Sequence, residues 1–176
     1  LLAVTIPETP GSFRAFCKKL GRRSVTEFNY RYADSSQAVV FVGVSLSGGS
    51  EERKELIASL EGAGLGVTDL TDNEVAKLHS RYTVGGRTGE TALPEQMFRF
   101  EFPERPGALG EFLDALGKRW NITLFHYRNH GAAYGRVLVA FEGKPADKKA
   151  ILESLKPLGY TVVDESLNPV YELFLK

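Results

Sequence analysis

The feature that most constrains this chain is an internal duplication, because most of its first half returns about 96 positions later. The segment IPETPGSF at 6–13 is matched by FPERPGAL at 102–109, so that Pro, Glu, Pro and Gly recur at an offset of 103 − 7 = 96. The segment VTEFNYR at 25–31 returns as ITLFHYR at 122–128, at an offset of 127 − 30 = 97. Two copies of one unit therefore make up the chain.

The sequence pattern of each copy predicts the same order of helices and strands. Alternation of apolar and polar residues at 98–102 indicates a strand, and 2–6 is its weaker counterpart. Apolar residues at i, i+3, i+4 and i+7 from Phe13 and from Leu109 predict two amphipathic helices, each with proline in its first turn. The remaining predicted elements are strands 25–32, 39–46 and 65–70 with a helix at 51–60, and strands 122–128, 135–142 and 160–164 with a helix at 147–155.

The order strand, helix, strand, strand, helix, strand predicts an α+β fold made of two ferredoxin-like (βαββαβ) subdomains, with antiparallel sheets and helices packed on one face. A further strand-like run closes each copy, at 77–84 and 170–176, and either pairs with its own sheet or crosses to the other copy. The glycine-rich polar stretch that begins at Gly85 is the predicted linker. The predicted division is 1–84, linker 85–96 and 97–176.

Charge and cysteine content exclude several functional classes. The 22 lysines and arginines balance 22 aspartates and glutamates, so the basic surplus of a nucleic-acid or membrane-surface binder is missing. No apolar run reaches the 18 or so residues of a membrane span. Cys17 is the one cysteine, which predicts no disulfide and a cytoplasmic location. The chain starts without Met, inside a predicted strand, so we expect further residues before Leu1 in the parent protein.

No catalytic or metal-binding constellation stands out. Cys17 lies on the apolar stripe of a helix, where a buried thiol is expected. His126 and His130 are four apart, but they run from a strand into a turn, and that spacing holds a metal only on one helix face. The glycine-rich run 62–66 follows a helix, which is typical of a helix end and not of a phosphate loop. We therefore predict no catalytic residue, metal or cofactor in this chain.

The duplication instead points to a pair of equivalent binding sites. Each Pro-Gly loop is predicted to present free backbone N–H groups at a helix N-terminus, at Gly11 and Ser12 and again at Gly107 and Ala108. The helix dipole favours an anion such as a carboxylate there, and glycine lets a ligand approach closely. The alternative is that glycine merely permits the turn.

The second strand of each copy carries aromatic and polar side chains at matching positions. Aromatic residues occupy one face, and the other face is polar except for one leucine in copy two. The first face carries Phe28, Tyr30, Tyr32, Phe125 and Tyr127, and the second carries Glu27, Asn29, Arg31, Leu124, His126 and Arg128. A buried tyrosine hydroxyl needs a hydrogen-bond partner, and a zwitterionic amino acid would supply one.

At these residues the sequence resembles a known family. Segments 21–31, 84–87, 102–109 and 120–128 closely resemble the C-terminal regulatory region of biosynthetic threonine deaminase, and the resemblance covers essentially the whole chain. It implies two ACT-like subdomains that bind isoleucine as feedback inhibitor and valine as antagonist. It also implies a tetrameric parent with a catalytic domain, absent from this chain, that carries pyridoxal phosphate on a lysine.

The same resemblance places the effector-binding tyrosines at Tyr30 and Tyr127. The other candidate residues, inferred from the repeat, are Gly11, Ser12, Asn29, Arg31, Gly107, Ala108, His126 and Arg128. Three alternatives stay open: an ACT-type sensor of another metabolic enzyme, a structural oligomerisation module that uses its sheet edges, and an RNA-recognition module, which the missing aromatic motif on the third strand and the net charge of zero disfavour.

Overall fold

The computed structural model describes residues 1–33, 35–78, 94–129, 134–169, 171 and 175. Each copy contributes four strands and two main helices in the predicted order. Copy one contains β1 (Leu2–Pro7), α1 (Ser12–Leu20), β2 (Val25–Arg31), β3 (Gln37–Val44), α2 (Gly49–Gly62), β4 (Gly66–Asp69) and the short α3 (Glu74–Leu78). Copy two contains β5 (Glu95–Pro103), α4 (Ala108–Leu116), β6 (Ile122–Arg128), β7 (Tyr134–Glu142), α5 (Lys148–Leu155) and β8 (Thr161–Asp164), with 3₁₀ turns Pro145–Asp147 and Lys156–Leu158 beside α5.

The eight strands form one continuous antiparallel sheet in the order β4-β1-β3-β2-β6-β7-β5-β8. Each half has the predicted ferredoxin-like arrangement, and the two halves meet where β2 pairs with β6. In that pairing Phe28 faces Tyr127, Tyr30 faces Phe125 and Asn29 faces His126. Since Asn29 and His126 are equivalent residues of the two copies, the internal twofold axis passes between them.

The helices cover one face of this sheet and complete a core that runs through both copies. α1 and α4 contact each other above the β2–β6 junction. Below them, the ring of Phe125 lies 5.3 Å from that of Phe28 and 6.0 Å from that of Phe112. Apolar burial is thus continuous across the junction and holds the two copies together.

Part of the opposite face of the sheet is also buried, around an ion pair. The Arg31 guanidinium donates to both carboxylate oxygens of Glu95, at 2.8 and 3.1 Å, and the Tyr171 hydroxyl donates to the same carboxylate at 3.0 Å. Tyr171 also packs on the apolar residues of β5, β6 and β7 on that face. Tyr171 therefore lies against this face of the sheet and is linked through Glu95 to Arg31 of β2.

Three details differ from the sequence predictions. Pro10 precedes the α1 N-cap Gly11 and so stands before the helix, not in its first turn. The strand predicted at 77–84 is wrong at its first two residues, which end α3, and residues 79–84 lie outside the described residues. The strand predicted at 170–176 is also wrong at its two described residues, Tyr171 and Leu175, which have π-helical backbone.

The boundary between the copies lies mostly in residues 79–93, outside the described part of the chain, and the domain division stays a prediction. β5 begins at Glu95, so the last two positions of the 85–96 stretch are extended sheet. Among the described residues, no helix combines the length and the apolar character needed to cross a membrane.

Candidate functional site

The two Pro-Glu-x-Pro-Gly motifs fold into matching turns that we call loop one (7–11) and loop two (103–107). Each ends in a glycine that caps the following helix in the left-handed region, with φ of 92° at Gly11 and 88° at Gly107. A side chain would be strained at that backbone conformation, so the turn requires glycine at both positions.

The prediction of free N–H groups at Ser12 and Ala108 is wrong. The Ser12 N–H donates to the Thr9 carbonyl at 3.1 Å, and the Ala108 N–H donates to the Arg105 carbonyl at 3.2 Å. These bonds close the turn itself, because the tight loop brings the residue after each glycine back over the carbonyl three positions earlier.

Each loop is tied to its sheet by a tyrosine–glutamate pair. The Tyr127 hydroxyl donates to Oε2 of Glu104 at 2.6 Å, and the Tyr30 hydroxyl donates to Oε2 of Glu8. Burial, followed by the hydrogen bond to the carboxylate, raises the pKa of both tyrosines well above the usual value. The hydroxyls therefore stay neutral donors at physiological pH.

Sequence reasoning missed the two glutamates. Glu8 and Glu104 are the second residues of the recurring motif, and they recur at the same offset as the glycines. A charged residue repeated beside two prolines and a glycine was the available signal, and the buried hydroxyls of Tyr30 and Tyr127 were the groups that needed such a partner.

Loop two forms one side of a cavity of about 50 Å³ that lies between the two copies. The other side is the C-terminal end of α1 and the start of β2. The lining residues are Pro103, Arg105, Gly107, Ala108, Leu109, Gly110 and Tyr127 from copy two and Cys17, Leu20, Gly21, Arg23 and Val25 from copy one. We call this space cavity two.

Cavity two combines apolar walls with polar groups at defined places. Leu20, Val25 and Leu109 provide aliphatic surface. The Tyr127 hydroxyl reaches across to within 3.3 Å of the Val25 carbonyl oxygen, so it joins the two copies at the base of the cavity. The Arg105 guanidinium donates to Glu111 at 2.8 Å. An aliphatic ligand with a charged head group suits such a lining.

The internal twofold axis places a second cavity, cavity one, between loop one and the C-terminal end of α4. It has a volume of only about 10 Å³. Its lining residues are Thr9, Gly11, Phe13, Arg14, Leu113, Leu116, Gly117, Trp120, Asn121 and Ile122. Tyr30 is not among them: it is fully buried, and the Phe13 ring lies edge-on to it at 4.8 Å.

Some of the predicted site residues line a cavity in the structure and the others do not. Gly107, Ala108 and Tyr127 come together at cavity two, and Gly11 lines cavity one. Ser12 lines neither, and its hydroxyl lies 2.8 Å from that of Thr9. The predicted residues Asn29, Arg31, His126 and Arg128 lie on the opposite face of the sheet and line neither cavity.

The described residues offer no catalytic or metal-binding arrangement of the usual kinds. No group of three or more potential metal ligands occurs among them. His126 is exposed, and His130 lies outside the described part of the chain. Burial raises the pKa of the Cys17 thiol to about 12, which keeps it protonated. No described lysine is buried, so none fits the enclosed Schiff-base site that pyridoxal phosphate requires.

Comparison with known proteins gives one consistent result. Residues 1–79 and 87–175 match the family described as the C-terminal regulatory domain of threonine dehydratase. The chain belongs to this family. It is 57% identical over 176 residues to L-threonine dehydratase biosynthetic IlvA of Escherichia coli, with 99% of the chain and 34% of that protein covered.

Relatives from eukaryotes extend the match. The chain is 42% identical over 184 residues to the mitochondrial threonine dehydratase of Saccharomyces cerevisiae, covering 99% of the chain and 31% of that protein. It is 42% identical over 176 residues to threonine dehydratase 1 biosynthetic, chloroplastic, of Solanum lycopersicum, covering 99% of the chain and 28% of that protein. This member of the family thus spans about a third of the length of the relatives it matches.

Proposed function

We propose that this chain is the allosteric part of a threonine deaminase and binds isoleucine as feedback inhibitor and valine as its antagonist. Membership of the regulatory-domain family supports a control function. The observation that carries the ligand assignment is cavity two, an aliphatic space between two copies of one unit with Tyr127 at its base.

The proposed ligand chemistry follows from the lining. The side chain of isoleucine or valine contacts Leu20, Val25 and Leu109, where burial of each methylene contributes about 0.8 kcal/mol. The α-carboxylate lies toward the N-terminus of α4 beside Gly107, where the helix dipole favours negative charge. The Tyr127 hydroxyl orients the head group, as the repeat led us to expect.

A ligand in cavity two contacts both copies, and this gives the site its regulatory potential. Its walls belong to loop two on one side and to α1 and β2 on the other. A ligand that binds one arrangement of the two halves better than another shifts the equilibrium between them, by as much as its affinities for the two differ. A catalytic domain attached to one half would sense that shift.

The proposed setting is a longer cytoplasmic enzyme, a homo-oligomer whose N-terminal catalytic domain holds pyridoxal phosphate and deaminates threonine. The bound cofactor supplies the electron sink for that chemistry. The residues of this chain contribute effector binding and transmission to the catalytic domain. The N-terminal catalytic domain, isoleucine and valine are the proposed partners.

Calorimetric titration with isoleucine, valine and threonine tests the proposal on the 176-residue chain, whose continuous core spans both copies. We expect heat of binding and a higher melting temperature with isoleucine and valine, because a ligand of the folded state stabilises it by mass action. Threonine, whose polar side chain suits the aliphatic wall poorly, is the control. If saturating isoleucine and valine leave the melting temperature unchanged, the sensor assignment is wrong and an oligomerisation module is the better interpretation.

A further inference from the structure

The two cavities are equivalent by the internal repeat, yet they differ in size about fivefold, at about 50 and 10 Å³. The smaller volume is that of about one water molecule. The backbone does not explain the difference, because both loops have the same capping glycine and both helices end in a glycine with nearly the same φ, 69° at Gly21 and 66° at Gly117. The side chains must account for it.

Larger side chains occupy cavity one at equivalent positions. Phe13 stands where cavity two has Leu109, and Leu113 stands where cavity two has Cys17. Loop one is also covered from outside: a Cβ atom on Gly11 would meet Cγ of Lys118 at 3.0 Å, whereas one on Gly107 would meet nothing within 4 Å. Each difference reduces the space beside loop one.

A further difference is Trp120, which lines cavity one. Copy two has one residue more than copy one between the helix end and the following strand, as the offset rises from 119 − 23 = 96 to 122 − 25 = 97, and Trp120 lies in this longer stretch. Trp120 lines cavity one and also a neighbouring open surface pocket. The Arg119 guanidinium carbon lies 4.6 Å from the centroid of the Trp120 indole ring. Trp120 is 9% exposed, and its indole Nε1–H has no hydrogen-bond partner among the described residues.

A buried indole N–H without a partner is costly, because it gives up its hydrogen bond to water without a replacement. Here it belongs to a residue that lines the small cavity beside a helix N-terminus. A carboxylate bound at loop one would offer the missing acceptor. The same side chain thus blocks the cavity when no ligand is present and carries a donor suited to a ligand that displaces it.

We propose that Trp120 is the residue that makes the two effector sites unequal. It occupies the ligand volume at loop one, so an amino acid enters there only after the ring moves, and cavity two is filled first. This inference rests on the proposed function for the identity of the ligand. The closure of cavity one by Trp120 does not depend on that identity.

Trp120 is the single tryptophan of the chain, so its fluorescence reports on its own surroundings, which are cavity one and a neighbouring open surface pocket. In an isoleucine titration followed by calorimetry and fluorescence together, we expect a first binding phase without a change in emission. A second phase, at roughly tenfold or higher concentration, should change the emission. If the emission changes together with the first phase, Trp120 does not control the order of filling and the proposal is overturned.

Reciprocal exchanges between the copies provide matched variants that keep the fold, since each residue already occurs at the equivalent position. Leu109→Phe should weaken the first phase by about 10–200-fold and leave the fluorescent phase in place. Phe13→Leu should bring the second phase closer to the first. Unchanged affinities in both variants would contradict the assignment of the two phases to the two cavities.

Acrylamide quenching of Trp120 without ligand separates this proposal from the proposed function. We expect weak quenching in the parent chain and in Leu109→Phe, and stronger quenching in Phe13→Leu, where the cavity beside the ring is enlarged. Strong quenching in the parent chain would show that the ring does not close cavity one. Absence of isoleucine binding together with the expected quenching would refute the effector function and leave the closure standing.

Discussion

Replacement of Gly135 by alanine would test how loop two is held. Gly135 lies in β7, and a Cβ atom there would come within 2.5 Å of Oε1 of Glu104 and 2.8 Å of Cε2 of Tyr127. Both distances are below van der Waals contact, so the Glu104 carboxylate and the Tyr127 ring cannot both keep their positions. We expect Gly135→Ala to break the hydrogen bond between them.

The magnitude follows from the groups that move. A hydrogen bond to a charged group contributes about 1.5–3 kcal/mol, and this one is 2.6 Å long. The alanine itself raises the free energy of unfolding by about 0.5–1 kcal/mol, because it has less backbone freedom than glycine in the unfolded chain. The free energy of unfolding should therefore fall by about 0.5–2.5 kcal/mol, or roughly 1–10 °C in melting temperature for a domain of this size.

Thermal and urea unfolding would measure this loss, and an isoleucine titration would measure its effect on cavity two, which Tyr127 lines. Ala38 holds the equivalent position of copy one, so Ala38→Gly is the matched control. It should lower stability by about 0.5–1 kcal/mol through backbone entropy and leave cavity two unchanged. A Gly135→Ala chain with the stability and isoleucine affinity of the parent would refute the reasoning.

Further predictions concern three buried side chains. Tyr30→Phe removes the hydroxyl that donates to the buried Glu8, so the free energy of unfolding should fall by about 1–3 kcal/mol in urea titrations. The raised pKa of Tyr30 means that its stabilising contribution is complete below about pH 10 and is lost as pH rises further, so Tyr30→Phe should flatten that loss in a series of alkaline melts. Arg31→Met removes the cationic partner of the buried Glu95 carboxylate, so the free energy of unfolding should fall by about 3–5 kcal/mol. A fall of less than about 1 kcal/mol would show that the ion pair is solvated. Cys17 should react with a thiol reagent at pH 8 far more slowly in the folded chain than in urea, and equal rates would contradict its burial.

Local patterns were sufficient to predict most of the fold. The apolar stripe from Phe13 is buried in α1, and Gly21 ends that helix as predicted. The alternation at 98–100 puts Phe98 and Phe100 in the core. These signals are local, because the hydrophobic periodicity of a helix or strand and the glycine that ends a helix lie within one short stretch of sequence.

The pairing of β2 with β6, which joins the halves into one sheet, was not predicted. Edge strands pair through backbone groups that every residue has, so neither strand carries a side-chain signal for its partner. The end of copy two was predicted as a strand, whereas Tyr171 lies across the sheet and bonds to Glu95. That contact joins residues 76 positions apart, and no local pattern reports it.

The candidate site was predicted in part. The repeat singled out Tyr127 and Gly107, which the structure places at one cavity. The repeat could not show that Tyr30 is buried against Phe13 and does not line cavity one, because the two loops have the same motif and differ only in the residues around them. Trp120 was likewise missed, since its importance depends on where the longer stretch of copy two places its ring.

Calorimetric titration of isoleucine into the chain and into its Tyr127→Phe variant tests the central claim most directly. The claim is that cavity two, with the Tyr127 hydroxyl at its base, is the effector site. Because the substitution removes one hydroxyl and keeps the ring, the tighter binding phase should weaken by roughly 5- to 150-fold, equivalent to about 1–3 kcal/mol. Binding of isoleucine with the same affinity and stoichiometry in both chains would contradict the claim.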